Sequence, residues 1–330
     1  MNKLKFWIDN ARPISLPQSM LPALTAVALS AGVGNFSVIA AIASVFGVVC
    51  LHLGLNLLDD WYDYKVGSAE ARQVVANEGF RGRMTKYPYL TSGKATPKQL
   101  LKAIFCFLSI AALMGGVVTY IRGWMVLGWI ASGLIIGVSY SGWPLKLGFR
   151  GLGELVIFLM FGPLMMTGVY YAITGTLDLK ITWLSIAVGL LVTNIVYSHS
   201  VLDAIPDAKM GKKTMAHLMG SGKGQIFLSA LLNTVPYLMV VVAVALRQLH
   251  PAYLSVLVLL PMSIWLVNSL NDHVKGKEVK LETKKWMGNM GEWEKYKEAG
   301  VAWFLLRWLN ARNIVTRFCL IIIIVNFLTR

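Results

Sequence analysis

The stretch NLLDDWYDYKVG, residues 56–67, closes a long apolar run, FSVIAAIASVFGVVCLHLGLN at 36–56. Asp59, Asp60 and Asp63 therefore fall where a hydrophobic segment should be leaving a membrane. Carboxylates at that depth are costly and mark functional positions by default. At 100° per residue, His52, Asn56, Asp59, Asp60 and Asp63 share one arc, roughly a third of the helix circumference. A merely solvated helix end has no reason to align an amide and three acids in this way.

The rest of the chain agrees with a membrane setting. Its 330 residues are 56% hydrophobic and only 14% charged, with a mean hydropathy of +0.61. Soluble domains carry about 25% charged residues. Runs near 17–33, 36–58, 99–121, 123–140, 151–174, 180–202, 225–246, 252–270 and 313–329 approach or reach the roughly 20 residues that span a hydrocarbon core. An all-α membrane protein of about nine transmembrane helices is expected, as one polytopic domain over 1–330.

The net charge of +15 fits basic loops facing anionic lipid better than it fits nucleic acid. The N-terminus and the loops after the second, fourth, sixth and eighth runs hold nearly all of the Lys and Arg. The opposite set holds little beyond Arg122, Lys180 and Arg247. This alternation places the N-terminus and the acidic stretch on the cytoplasmic side, the inner membrane face in a bacterium. Cys50, Cys106 and Cys319 sit singly in apolar runs and read as small hydrophobes. The segment at about 271–313 is polar, then aromatic, with Trp293, Tyr296, Trp303, Phe304 and Trp308 among Lys and Glu. It is expected to be an insertion carrying an interfacial helix anchored by its aromatics.

A second acidic pair, Asp203 and Asp207, lies in HSVLDAIPDAKMGKKT on the same basic side. Five carboxylates cannot all stay ionised in a partly dehydrated space without countercharge. Mg²⁺ is the natural countercharge, because it takes oxygen ligands and is commonly completed by substrate phosphates. Zinc-type spacing and a Walker loop are both missing. Arg81, Arg83, Lys94, Lys146, Arg150, Lys209 and Lys213 surround the acids, so the ensemble describes a diphosphate site with a lipid tail among the helices.

Asn56-x3-Asp60-x2-Asp63 and Asp203-x3-Asp207 resemble the two aspartate motifs of the UbiA superfamily of intramembrane prenyltransferases. ARPISLPQSMLPAL (11–24), DYKVG, the stretch from Tyr140 to Gly175 and GKKTMAHLMG (211–220) are similar to its 1,4-dihydroxy-2-naphthoate polyprenyltransferase branch. The resemblance implies helices around a central cavity, Mg²⁺, a polyprenyl diphosphate donor and an aromatic acceptor, giving demethylmenaquinone with loss of diphosphate and CO2. It implies that Asn56, Asp60 and Asp63 hold one metal–diphosphate assembly and Asp203 and Asp207 the other. Lys146 would contact diphosphate and Tyr140 would lie near the reacting carbon. Aromatic faces stabilise an allylic cation, and Tyr140 and Tyr64 are the candidates for that.

Where that branch reads Asn-Asn-x-Arg-Asp, this chain has HSVLD at 199–203. That leaves 4-hydroxybenzoate, homogentisate, a porphyrin or a glycerol phosphate lipid open as acceptors. His52 and His199 are expected to pack or hydrogen-bond, Glu154 to be structural, and Met165 and Met166 to line the cavity. A cation-coupled transporter is the rival class, but no inverted repeat accompanies the acids.

Overall fold

Apolar runs in hydrocarbon must satisfy their backbone internally, which makes them helices. The computed structural model describes residues 3–65, 67, 70, 87–142, 145–209, 211–277 and 280–330. Its long helices are α1 (Pro17–Ser30), α2 (Val38–Lys65), α3 (Pro97–Arg122) and α4 (Met125–Ser141). They continue as α5 (Gly153–Thr174), α6 (Leu179–Leu202), α7 (Gly222–Ala245), α8 (Pro251–Val274) and α9 (Ala302–Leu328). No β-strand occurs among the described residues.

Seven of these helices are long and apolar enough to cross a membrane, and the helix at Met125–Tyr140 is shorter. The expected nine crossings are reached only by counting both α4 and the 14-residue α1.

Local chemistry sets the helix ends. Thr96 and Gln99 form a capping box at the head of α3, with Pro97 at its first position. Asp178 accepts a hydrogen bond from Ile181 N at 2.8 Å to start α6, and Ser221 caps α7. These caps satisfy amides that a helix leaves without partners at its first turn. Gly123, at φ +84°, reverses the chain between α3 and α4, so the two helices pair through the short Arg122–Trp124 connection.

The helices pack as a ring in which α9 returns to α1, and α6 leans on α5, α7 and α9. One apolar core joins α1 with α5 to α9. A second joins α2 and α3 to Ala11, Tyr87 and Tyr89. Buried amides add register: Asn194 Nδ2 donates to Asn233 Oδ1 at 3.0 Å, and Asn233 returns the bond at 3.1 Å. In lipid such pairs join helices where apolar contact alone is weakly directional.

Pro163 removes a backbone donor inside α5, where Met160–Leu164 adopts a π turn. Gly162 in that turn abuts Gly189 of α6, and a Cβ on Gly162 would lie 2.5 Å from Ser185 O.

The segment before α9 differs from its expected form. Ala302–Leu328 is one continuous helix, so Trp303, Phe304 and Trp308 belong to its first turns. The polar stretch therefore ends near 301 and not 313. Its only helical pieces among the described residues are Lys285–Met287 and Trp293–Glu298. Asn313 of α9 holds this stretch by donating to Met287 O and Asn289 O, each at 2.8 Å.

Candidate active site

Between the two cores lies a cavity of about 1000 Å³. Its polar end is built on the last turns of α2, where the shared arc turns Asn56, Asp59, Asp60 and Asp63 to the wall. Asp60 and Asp63 are buried, at 5% and 3% exposure. The opposite end runs between α2, α3 and α4, past Ala43, Gly47, Leu108, Gly115 and Gly133. A long aliphatic chain fits such a slot.

Arg12 stands among the first acids. Its Nη2 donates to Asn56 O at 2.8 Å and to Asp59 Oδ2 at 3.0 Å, and lies 3.3 Å from Asp60 Oδ1. Burial opposes its charge, but Asp60 and Asp59 outweigh this and hold the guanidinium well above its ordinary value. Tyr89 donates to Asp60 Oδ2 at 2.9 Å. Burial and the neighbouring Asp60 together push its phenol well above the usual range. Asn56 spends its amide hydrogens on Ala11 O at 2.9 Å and Ser15 Oγ at 3.1 Å. The same N-terminal turn engages His52, whose ring meets Ser19 Oγ at 2.6 Å and Ser15 Oγ at 3.0 Å.

The second motif begins where α6 stops. Asp203 ends α6, and Ala204–Lys209 forms a short helix that tolerates Pro206 in its first turn. Asp203 and Asp207 are almost fully buried, at 0% and 1% exposure. Their partners face the cavity: His199 Nε2 meets Asp203 Oδ2 at 2.9 Å, and Lys212 Nζ lies 3.4 Å from Asp207 Oδ2. Ser200 instead donates to Glu154 Oε1 at 2.6 Å, and Glu154 Oε2 accepts from Met215 N at 3.3 Å. Glu154 thus joins α5, α6 and the loop after the second motif.

Tyr140 lies in the wall between the two acid groups, whereas Tyr64 packs on Tyr87 away from the cavity. Met165 reaches the wall, but Met166 is fully buried in the core, one helical step around. Lys94, Lys209 and Lys213 are exposed, and neither they nor the partly buried Lys146 line the cavity. Arg81 lies outside the described residues. Arg12, Tyr89 and Lys212 are the polar partners that sequence reasoning passed over. Arg12 had a signal, since it stands inside ARPISLP, but only the fold brings it to Asp60.

The donor set suits a hard divalent cation. The cavity wall offers carboxylate oxygens from Asp59, Asp60 and Asp63, without thiolates, whereas Asp203 and Asp207 are not part of its lining and stand next to it through His199 and Lys212. Among the described residues, no three of His, Cys, Asp and Glu converge into a complete metal cage. Mg²⁺ is commonly held by one or two carboxylates and completed by phosphate and water.

Comparison with known proteins agrees with this geometry. The chain is 28% identical to a 1,4-dihydroxy-2-naphthoate octaprenyltransferase of Bacillus subtilis, over 70% of each chain. It is 27% identical to the Haemophilus influenzae protein of the same name, over 77% of this chain and 82% of that one. A UbiA homologue from Archaeoglobus fulgidus, solved with GPP and Mg²⁺, shares the fold at 15% identity. Its TM-score is 0.55, and the match covers 96% of this chain and 99% of that one. The model of the UbiA prenyltransferase family matches residues 19–287, and with both acidic motifs inside that stretch the chain belongs to the UbiA prenyltransferase family.

Proposed function

We propose that this chain transfers a polyprenyl group from polyprenyl diphosphate to 1,4-dihydroxy-2-naphthoate, with Mg²⁺ as its cofactor. The observation that carries this reading is one cavity that joins the buried first aspartate motif to an apolar slot and is also lined by His199 and Lys212, the partners of Asp203 and Asp207. The names of the Bacillus and Haemophilus relatives support the acceptor. The Archaeoglobus structure, solved with a prenyl diphosphate and Mg²⁺, supports the donor and the cation. Asn56, Asp60 and Asp63 would hold one ion, and Asp203 and Asp207 another. Mg²⁺ held there would supply positive charge to stabilise a departing diphosphate.

The chain's own residues do the rest. Arg12 and Lys212 add fixed positive charge at the polar end. Tyr140 presents an aromatic face to the allylic cation, and the apolar walls keep water from it. The prenyl carbon–oxygen bond breaks, and a carbon–carbon bond forms at the ring carbon bearing the carboxylate. CO2 then leaves, and its bonding pair returns to the ring, so this step needs no external base. The product is the hydroquinol form of demethylmenaquinone. The alternating basic loops support a cytoplasmic active site and a cytoplasmic N-terminus in a single domain over 1–330.

The test is purified protein in nanodiscs with Mg²⁺, octaprenyl diphosphate and a panel of acceptors, read by mass spectrometry and diphosphate release. Prenylated naphthohydroquinol is expected. Transfer to 4-hydroxybenzoate or homogentisate alone would overturn the acceptor and retain the prenyl transfer.

A further inference from the structure

The stretch matched by the family ends at residue 287, yet the cavity wall continues past it with Val301, Trp303, Phe304, Leu305 and Trp308. We propose that Phe304 and Trp308, on the first turns of α9, form the shelf that binds the planar aromatic acceptor. This inference rests on the prenyltransferase reading above and assigns the acceptor to one wall of the cavity.

Position is the first argument. Phe304 stands edge-on to His199, with ring centroids 5.0 Å apart and planes at 90°. His199 in turn holds Asp203. The shelf therefore lies beside His199 and, through it, beside the second acidic motif. The slot runs between α2, α3 and α4, and small residues such as Ala43, Gly47 and Gly133 line it. A flexible chain suits the slot, whereas a flat ring gains from aromatic faces and edges.

Rigidity is the second argument. Arg307, buried at 3% exposure, donates from Nε to Ser269 O at 3.1 Å and to Ser269 Oγ at 3.0 Å. Its Nη1 donates to Trp303 O at 2.7 Å. Trp303 stacks on His273 at 5.7 Å and 15°, and meets Phe304 edge-on at 5.8 Å. Trp303 is thus a buttress, with α8 behind it. The head of α9 is held in place before any ligand arrives, and pre-organisation of this kind lowers the cost of binding.

The experiment compares wild type, Phe304→Leu, Phe304→Tyr and Trp308→Leu in nanodiscs. Calorimetry without donor measures affinity for the aromatic that the wild type prenylates, with 1,4-dihydroxy-2-naphthoate tried first. Steady-state assays give separate KM values for acceptor and prenyl donor. Each leucine variant is expected to weaken acceptor binding and raise acceptor KM about tenfold, the scale of one lost aromatic contact. Donor KM should stay near wild type, the thermal midpoint should fall because both side chains are part of the core, and F304Y should retain acceptor binding.

Unchanged acceptor affinity in both folded leucine variants, or a rise in donor KM in place of acceptor KM, overturns the shelf alone. The two substitutions are made singly, so misfolding of one variant leaves the other to decide. A wild type that prenylates no aromatic overturns the functional reading and the shelf together.

Discussion

Arg12 Nη2 lies 3.3 Å from Asp60 Oδ1, so a guanidinium from the N-terminal turn stands against the first aspartate motif. It also binds Asp59 and the Asn56 carbonyl, occupying the space in which an added cation would gather the same oxygens. Arg12→Met should therefore do two opposite things. Thermal stability without Mg²⁺ should fall, by about 1–3 kcal/mol for the polar groups left behind. The Mg²⁺ concentration for half-maximal thermal stabilisation should also fall, because the ion no longer competes with a fixed charge. A rise in that concentration would show that Arg12 aids cation binding.

Asp60→Asn and Asp207→Asn should each lower turnover about a hundredfold or more, the scale of losing a group that stabilises developing charge. Folding and insertion should persist at reduced thermal stability, because each change removes one partner of a buried ion pair, Arg12 with Asp60 or Lys212 with Asp207. Diphosphate release and detergent-resistant folding, measured on the same preparation, separate these effects. Near-normal turnover at saturating Mg²⁺ would sink the assignment of these acids.

Tyr89 fixes Asp60 through a 2.9 Å hydrogen bond while packing edge-on with Phe6 and Trp7. Tyr89→Phe keeps the packing and deletes the bond. Metal affinity should weaken about tenfold, as when other partners that orient a ligand are lost. Titration of Mg²⁺-dependent turnover at fixed donor concentration checks this, and an unchanged midpoint would make the bond structural only.

Gly162 and Gly189 bring the π turn of α5 against α6. A Cβ on Gly162 would lie 2.5 Å from Ser185 O and 2.6 Å from Gly189 Cα, and backbone cannot swing aside as a side chain can. Gly162→Ala should cost about 1–3 kcal/mol through overpacking. A thermal midpoint matching wild type in the same detergent would show that the helices can part there without penalty.

Lys280, Lys284 and Lys285 are exposed in the polar stretch before α9. Each contributes about 1 kcal/mol of attraction to an anionic leaflet. Changing all three to Gln should weaken the dependence of activity on anionic lipid and leave turnover in saturating lipid unchanged. A large fall in turnover there would bring this stretch into the reaction.

Much of this protein is written in the linear chain. Apolar length and backbone self-satisfaction dictated the helices, and three-to-four-residue spacing put Asn56, Asp60 and Asp63 on one face before any tertiary contact formed. The second motif and the basic loops were equally legible, since residue type and local spacing define them. The choice among cations was not legible. Lys94, Lys209 and Lys213 look as suitable as Lys212 in sequence, yet only Lys212 reaches the cavity, because direction at a helix end depends on local backbone geometry.

Arg12 and Asp60 are 48 positions apart, and Phe304 and His199 are 105 apart. No local period links such pairs: the packing of α1 beside α2 brings Arg12 to Asp60, and the packing of α9 on α6 brings Phe304 to His199. The head of α9 shows the limit most plainly. Its aromatics read as a surface anchor while the neighbouring Lys and Glu were all that could be seen. Packing against α6 and α8 turned Phe304 and Trp308 inward, because burying aromatic area against a preformed wall outweighs leaving it at the interface.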